Sequence, residues 1–208
     1  MSNVGHVAIV PVSTGTSTDE PVSVGSLLAH LRLGTSSEAS AADQVLVAEK
    51  NTAARKRIEA RTERSLLRNP FDQAIDRFPG DGSPIRLLRS PLVSVASVTS
   101  YNTTGGATVL STDAYYVDTF NEPGRLCLHA GYTWPTATRG ALGGVIRFTA
   151  GYSTDAAGIP DPLKEAVRKL ATDLYENREA SSPGTSVPAP LPFGIDDLIQ
   201  DYIFVEFG

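Results

Sequence analysis

The chain predicts an α+β fold: a small helical bundle of two N-terminal helices and one long C-terminal helix, an inserted antiparallel β meander or barrel, and an extended C-terminal tail. Three observations carry this. Apolar residues recur at helical spacing on both flanks of the sequence. Between them, from Pro70, the period falls to two, and turn signals punctuate the strands. Beyond the last helix a proline-rich spacer leads to a short run of large apolar residues.

Residues 1–22 read as an arm in which Val7-Ala8-Ile9-Val10-Pro11-Val12 pairs as an edge strand before a polar loop. A first helix is expected over 23–33, capped by Ser23 or Ser26, with Leu27, Leu28 and Leu31 on its apolar side and Leu33-Gly34 ending it. A second is expected over 40–67. Its apolar content is modest, and it carries the basic cluster Arg55, Lys56, Arg57, Arg61, Arg64 and Arg68 among Glu49, Glu59 and Glu63. Two readings fit that cluster: a solvated face of mixed ion pairs, or contact with DNA phosphates or a neighbouring acidic surface.

Seven strands are expected in the insertion over 70–152: Phe71–Phe78, Pro84–Arg89, Leu92–Tyr101, Ala107–Leu110, Ala114–Thr119, Gly124–His129 and Gly144–Tyr152. Ile146, Phe148 and Ala150 alternate with Arg147 and Thr149, the pattern of a sheet with one buried face. Strands this short and this evenly spaced suit a meander closing into a small barrel or a sandwich.

The third helix is expected over 161–180. Leu163, Ala166, Val167, Leu170, Ala171 and Leu174 form one stripe, with Asp161 as the N-cap, Pro162 at the first helical position and a Glu165–Lys169 pair on the outer face. Ser181-Ser182-Pro183-Gly184 must stop it. The tail, 183–208, holds Leu191, Phe193, Ile195, Leu198, Ile199, Tyr202, Ile203 and Phe204. Segments near a terminus are normally polar and mobile, so these side chains either fold back onto the protomer's own core or are received by another protein.

Composition excludes several classes of function. The 208 residues are 41% hydrophobic and 20% charged, ordinary for a globular chain long enough to bury a core. A net charge of −5 gives no electrostatic basis for tight non-specific DNA binding. A single cysteine, Cys127, rules out an internal disulfide framework and suits a reducing compartment. No apolar run is long enough to span a membrane, and the start lacks the character of a signal peptide.

The search for chemistry returns no catalytic, cofactor-binding or metal-binding residue. Gly80-Asp81-Gly82 lacks the lysine and the strand-to-helix setting of a phosphate loop. His6, His30 and His129 share no pattern, and no paired-cysteine or His-Glu-x-x-His spacing occurs. Cys127 and His129, two apart on a strand, share a face, but with Leu126 and Leu128 turned inward that face is outward and a neutral role is expected. Trp134-Pro135 near Tyr132 is either a platform for sugar or peptide or an aromatic packed over the end of a sheet.

Several blocks together resemble a known family. In order they are Leu27-Leu28-Ala29-His30-Leu31-Arg32; Ile58 to Leu66; Asp76-Arg77-Phe78-Pro79-Gly80; Ile85-Arg86-Leu87; and Ser90 to Val95. Tyr116-Val117-Asp118, Pro123-Gly124-Arg125-Leu126, Trp134-Pro135 and Val145 to Tyr152 follow. Ile159 to Lys164, Leu174 to Glu179 and Leu191-Pro192-Phe193-Gly194-Ile195 close the series. The order is similar to that of the head–tail connector (adaptor, or head-completion) proteins of long-tailed bacteriophages and gene-transfer particles, over about residues 22–204. The arm, the proline-rich loop from Ser182 to Pro190 and the closing Val205-Glu206-Phe207-Gly208 depart from that pattern.

The resemblance implies a connector domain over 23–182 and a portal-docking tail over 183–208. It implies a non-catalytic virion protein of the neck, assembled from the host cytoplasm, usually as a homo-oligomeric ring of twelve copies. Such a ring sits under the portal protein, extends the DNA channel and offers the surface to which a stopper or tail-completion protein attaches. Double-stranded DNA would pass through it without sequence recognition. The eight apolar tail residues from Leu191 to Phe204 would then meet the portal or an adjacent subunit. Arg55, Arg57, Arg61 and Arg64 would face the channel or form ion pairs between subunits. Competing readings are another neck protein (head closure or tail terminator) and a carbohydrate- or peptide-binding β module.

Overall fold

The computed structural model describes residues 8–12, 19–136, 139–177 and 194–204. The chain divides into two compact units, each assembled from separated segments. A β unit takes residues 1–16 and 68–152; a helical unit takes 17–67 and 153–208.

The β unit contains a five-stranded and a three-stranded antiparallel sheet. The larger holds β1 (Ala8–Pro11), β2 (Asn69–Ile75), β4 (Leu92–Tyr101), β5 (Ala107–Val109) and β8 (Gly144–Ala150), in the order β1-β2-β8-β4-β5. β1 is an edge strand, pairing Ala8 with Ala74 and Pro11 with Phe71. The smaller sheet holds β3 (Ile85–Arg86), β6 (Tyr115–Asp118) and β7 (Arg125–Leu128), in the order β3-β7-β6. The strands follow the expected sites, and β4 matches its expected bounds.

The connectivity differs from a meander, and no closed barrel forms among the described residues. β8, last in sequence, lies between β2 and β4 and pairs with both. The reason is burial. Ile146, Phe148 and Ala150 are fully buried, and a strand with so apolar a face gains most from a central place. Phe148 sits opposite Phe71 with ring centroids 5.8 Å apart, in a core shared with Ile75, Ile85, Leu87, Val98 and Leu126.

One polar side chain ties the two sheets together. Gln73 on β2 is 1% exposed; its Nε2 donates to the Arg86 carbonyl at 2.9 Å and its Oε1 accepts from Leu88 N–H at 2.9 Å. Both ends of the amide are therefore satisfied, as burial requires.

The helical unit packs α1 (Val24–His30) and α2 (Ala41–Thr62) with α3 (Asp161–Glu176), and α4 (Ile195–Ile199) lies against α3. Ser23 caps α1 and Ser40 caps α2 through side-chain acceptors. The α3 stripe is as expected: Leu163, Ala166, Val167, Leu170 and Ala171 are buried. Asp161, however, is the first helical residue and not the N-cap; its carboxylate meets Lys164 at 2.7 Å instead. The outer-face pair is Glu165 with Arg168, one turn position closer than the expected Lys169.

Helix α2 ends at Thr62, short of the expected Leu67. Glu63 takes a left-handed φ of 55°, and Arg64, Ser65, Leu66 and Leu67 are all buried. Four consecutive buried residues cannot share one face of a helix, so the chain leaves helical geometry to bury them.

Candidate functional site

The tail is the first candidate. Leu191 and Phe193 lie outside the described residues. Of the remaining six, Ile195, Leu198 and Ile199 lie in α4, Tyr202 lies in the 3-10 turn Gln200–Tyr202 that follows it, and Ile203 and Phe204 come just after. Gly194, with φ of +85°, provides the left-handed entry to α4. Ile195 and Ile199 are fully buried in the helical unit, while Leu198, Tyr202, Ile203 and Phe204 are half-buried. The described part of the tail is thus a short docked helix, not an extended strand of chain.

What holds it is Arg64. This side chain is 7% exposed; its Nε donates to the Tyr202 carbonyl at 2.9 Å, and its guanidinium lies 4.7 Å from the Phe204 ring centroid and 5.8 Å from that of Tyr202. A planar cation stacked on aromatics while donating in its own plane uses arginine in a way lysine does not reproduce.

The other basic residues divide. Arg55 Nε meets Glu20 at 2.7 Å and its Nη1 meets Glu59 at 3.0 Å. Burial works against its charge, but the hydrogen bond it donates to Glu20 and the field of Glu59 more than offset this, leaving its pKa raised. Glu59 also accepts from Leu66 N–H at 2.8 Å, which fixes the turn after α2. Within the protomer, then, Arg55 joins the mixed ion pairs expected of this cluster and Arg64 holds the segment that follows α4. Arg57 and Arg61 are exposed.

The second region is the end of the three-stranded sheet where β6 passes to β7. Asp118 accepts there from the backbone N–H of Phe120 (3.1 Å) and Asn121 (3.2 Å) and from Asn121 Nδ2 (2.8 Å). Arg125 closes the ring, with Nη2 at 2.7 Å. The hydrogen bonds from Arg125 and Asn121 hold the Asp118 carboxyl down at about 2. Phe120, at the tip, is 96% exposed. No periodicity could have revealed the role of Asp118, because the loop is built from side chain to backbone.

At the far end of the same sheet, residues 77–82, 132–136 and 139–140 line an open cleft of about 750 Å³. Trp134 forms part of its wall; the ring is only 6% exposed, stacks on Phe78 with centroids 6.0 Å apart, and donates Nε1–H to the Ser83 carbonyl at 3.0 Å. It is an aromatic packed over the end of a sheet, not a free platform. Cys127 also differs from expectation: it is buried, opposite Tyr116 in the β6–β7 register. Among the described residues no group of three His, Cys, Asp or Glu converges as for a metal, and no helix is long and apolar enough to cross a membrane.

No family model matches the chain, and no curated protein matches it. Solved structures do. A chain from a virion of a native gene transfer agent particle aligns at a TM-score of 0.74 with 26% identity, covering 95% of this chain and 96% of that one. A chain from the neck of an empty particle of this kind, computed with C6 symmetry, aligns at 0.75 with 26% identity over 96% of each. A third, from the neck of a native particle computed with C12 symmetry, gives 0.68 and 25% over 96% of each. The likeness spans both units.

Proposed function

We propose that this chain is a structural protein of a virion neck: a head–tail connector that forms a ring beneath the portal, lengthens the DNA channel and receives a stopper or tail protein. The observation that carries the reading is the near end-to-end match, helical and β units together, to chains from gene transfer agent necks. A shared sheet alone would leave many functions open; agreement over 96% of both chains at 26% identity leaves few. The buried Trp134 weighs against a sugar- or peptide-binding module, since its polar edge is already spent on Ser83. The mixture of helices and sheets fits a connector better than the β-dominated closure and terminator proteins.

In this reading the partner-facing tail surface is narrower than the sequence suggested. Ile195 and Ile199 stay in the protomer's core, leaving Leu198 and Ile203, with Leu191 and Phe193, to meet the portal or a sister subunit. Arg57 and Arg61 are the basic residues that remain for the channel or the inter-subunit surface. The test is to delete the gene in the producing cell and image the particles. Heads that fail to join tails, restored by the wild-type gene, are expected. Intact tailed particles without the protein would overturn the proposal.

A further inference from the structure

Two exposed patches of opposite charge lie on the helical unit. On α2 the exposed face runs through Val45, Glu49, Ala53, Lys56, Ala60 and Arg61, opposite the buried line of Val47, Ala54 and Ile58. Ala53 and Ala60 form the floor of a shallow trough. Lys56 borders it on one side, and Arg61, with Arg57 one turn before it, on the other. On α4 and the turn after it, Asp196, Asp197 and Asp201 are exposed, away from buried Ile195 and Ile199.

Among the described residues, the side chains of Lys56, Arg61 and the three aspartates take part in no hydrogen bond or ion pair. Neighbouring charges do not cancel either patch. Around the trough Lys50, Lys56, Arg57 and Arg61 outnumber Glu49 and Glu63, and at the tail the three aspartates outnumber Lys169, which stands by Gly194 where α4 begins. The dimensions agree as well: Ala53 to Arg61 spans about 12 Å of helix, and Asp196 to Asp201 about 8 Å. Alanines let a second helix approach closely. Unlike surfaces of this kind join copies head to tail, and they close into a ring when the rotation permits. A single exposed ion pair contributes little, so the charges decide which surfaces meet and in which register.

We infer that Asp197 and Asp201 of one copy lie along the α2 trough of the next copy of this chain, facing Lys56 and Arg61, and that this contact repeats through the assembly. The inference rests on the ring reading and assigns the basic side of α2 to the inter-subunit surface. Lys56→Glu with Arg61→Glu, or Asp197→Lys with Asp201→Lys, changes exposed side chains only, so either pair shifts the melting temperature by no more than about 4 °C. Either pair weakens association at least about tenfold, because it sets like charges against each other. A chain carrying all four substitutions recovers, since every contact between its copies then has its charges exchanged.

The decisive experiment compares these three chains with the wild type in the producing cell, reading neck occupancy by imaging, and in purified form, reading self-association by sedimentation and stability by melting. Loss in both double variants and recovery in the fourfold variant are expected. A fourfold variant that stays at the level of the doubles shows that the two patches do not meet and overturns the inference. So does an α2 double variant that assembles like the wild type. A drop in melting temperature that the fourfold variant reverses would place the pairing inside one protomer, and a closed dimer would reveal a two-fold contact; either overturns it. Absence of the wild type from the neck sinks the functional reading instead, and loss and recovery of self-association in sedimentation then still upholds the contact. A wild type that is absent from the neck and also monomeric overturns both.

Discussion

The β unit and the helical unit are closed by different means. The β unit relies on apolar volume: Phe71, Phe148, Ile146 and Leu126 fill the space between two sheets, and the buried amide of Gln73 stitches them. In the helical unit, polar side chains reach across long stretches of sequence. Asn51 Nδ2 donates to the Val22 carbonyl at 2.7 Å, Arg55 reaches back to Glu20, and Arg64 reaches forward to Tyr202. Helix α2 buries Asn51 and Thr62 beside Val47, Ala54 and Ile58, so its inner face is partly polar. Apolar packing tolerates many sequences of the right volume, whereas a buried hydrogen bond to one named carbonyl fixes one arrangement. The segment after α4, which Arg64 contacts through the Tyr202 carbonyl, is held by the more specific device.

That contrast can be broken at three places. The largest expected effect lies in the β unit: Phe148→Ala removes a fully buried ring from the central strand and costs about 3–5 kcal/mol, read as lost hydrogen-exchange protection along β2 and β8. Loss of less than about 1 kcal/mol would show that the core is not the unit's support. Arg64→Met comes next. It keeps the apolar stem but removes the charged donor, and costs about 1.5–3 kcal/mol, with exchange accelerating over residues 195–203. Unchanged protection there would mean that Ile195 and Ile199 alone hold the helix, and the contrast would fail.

The smallest effect concerns acid. The Asp118 carboxyl is held at about 2 in the folded protein, below its ordinary 3.8. A depressed carboxylate stabilises fully above the unfolded value and loses that contribution as pH falls through the folded one. The Phe120 loop is therefore expected to keep its order down to about pH 4 and lose it between pH 4 and 2. Asp118→Asn should flatten that response, monitored by the ring signals of Phe120 in NMR. A loop that melts near pH 6 would implicate another group.

Much of this was legible in the residues. The α3 stripe and the alternation along β8 needed only periodicity, because each of those elements turns one continuous apolar face inward. The end of α2 was not legible: Thr62 to Leu67 reads as helix-compatible, and only the simultaneous burial of Arg64 through Leu67 excludes it. Strand order was hidden as well, since alternation tells which face is buried and not which strand lies beside which. Cys127 appeared outward by alternation, yet it is buried, and alternation along one strand does not say what its neighbours cover. For the candidate site, the apolar tail stood out from the sequence, while the roles of Arg64 and Asp118 depend on carbonyls and amides that no side-chain pattern encodes.

The chain passes from β unit to helical unit, back, and out again: β1, then α1 and α2, then β2 to β8, then α3 and α4. Synthesis on the ribosome runs in that same direction. All eight described strands have been made once Ala150 is added, whereas the inner face of α2 has no α3 to cover it until residue 176, and α3 has no α4 against it until later still. A nascent chain of this protein thus carries one finished half and one half-built, in which Val47, Ala54 and Ile58 of α2 stay uncovered until α3 is made.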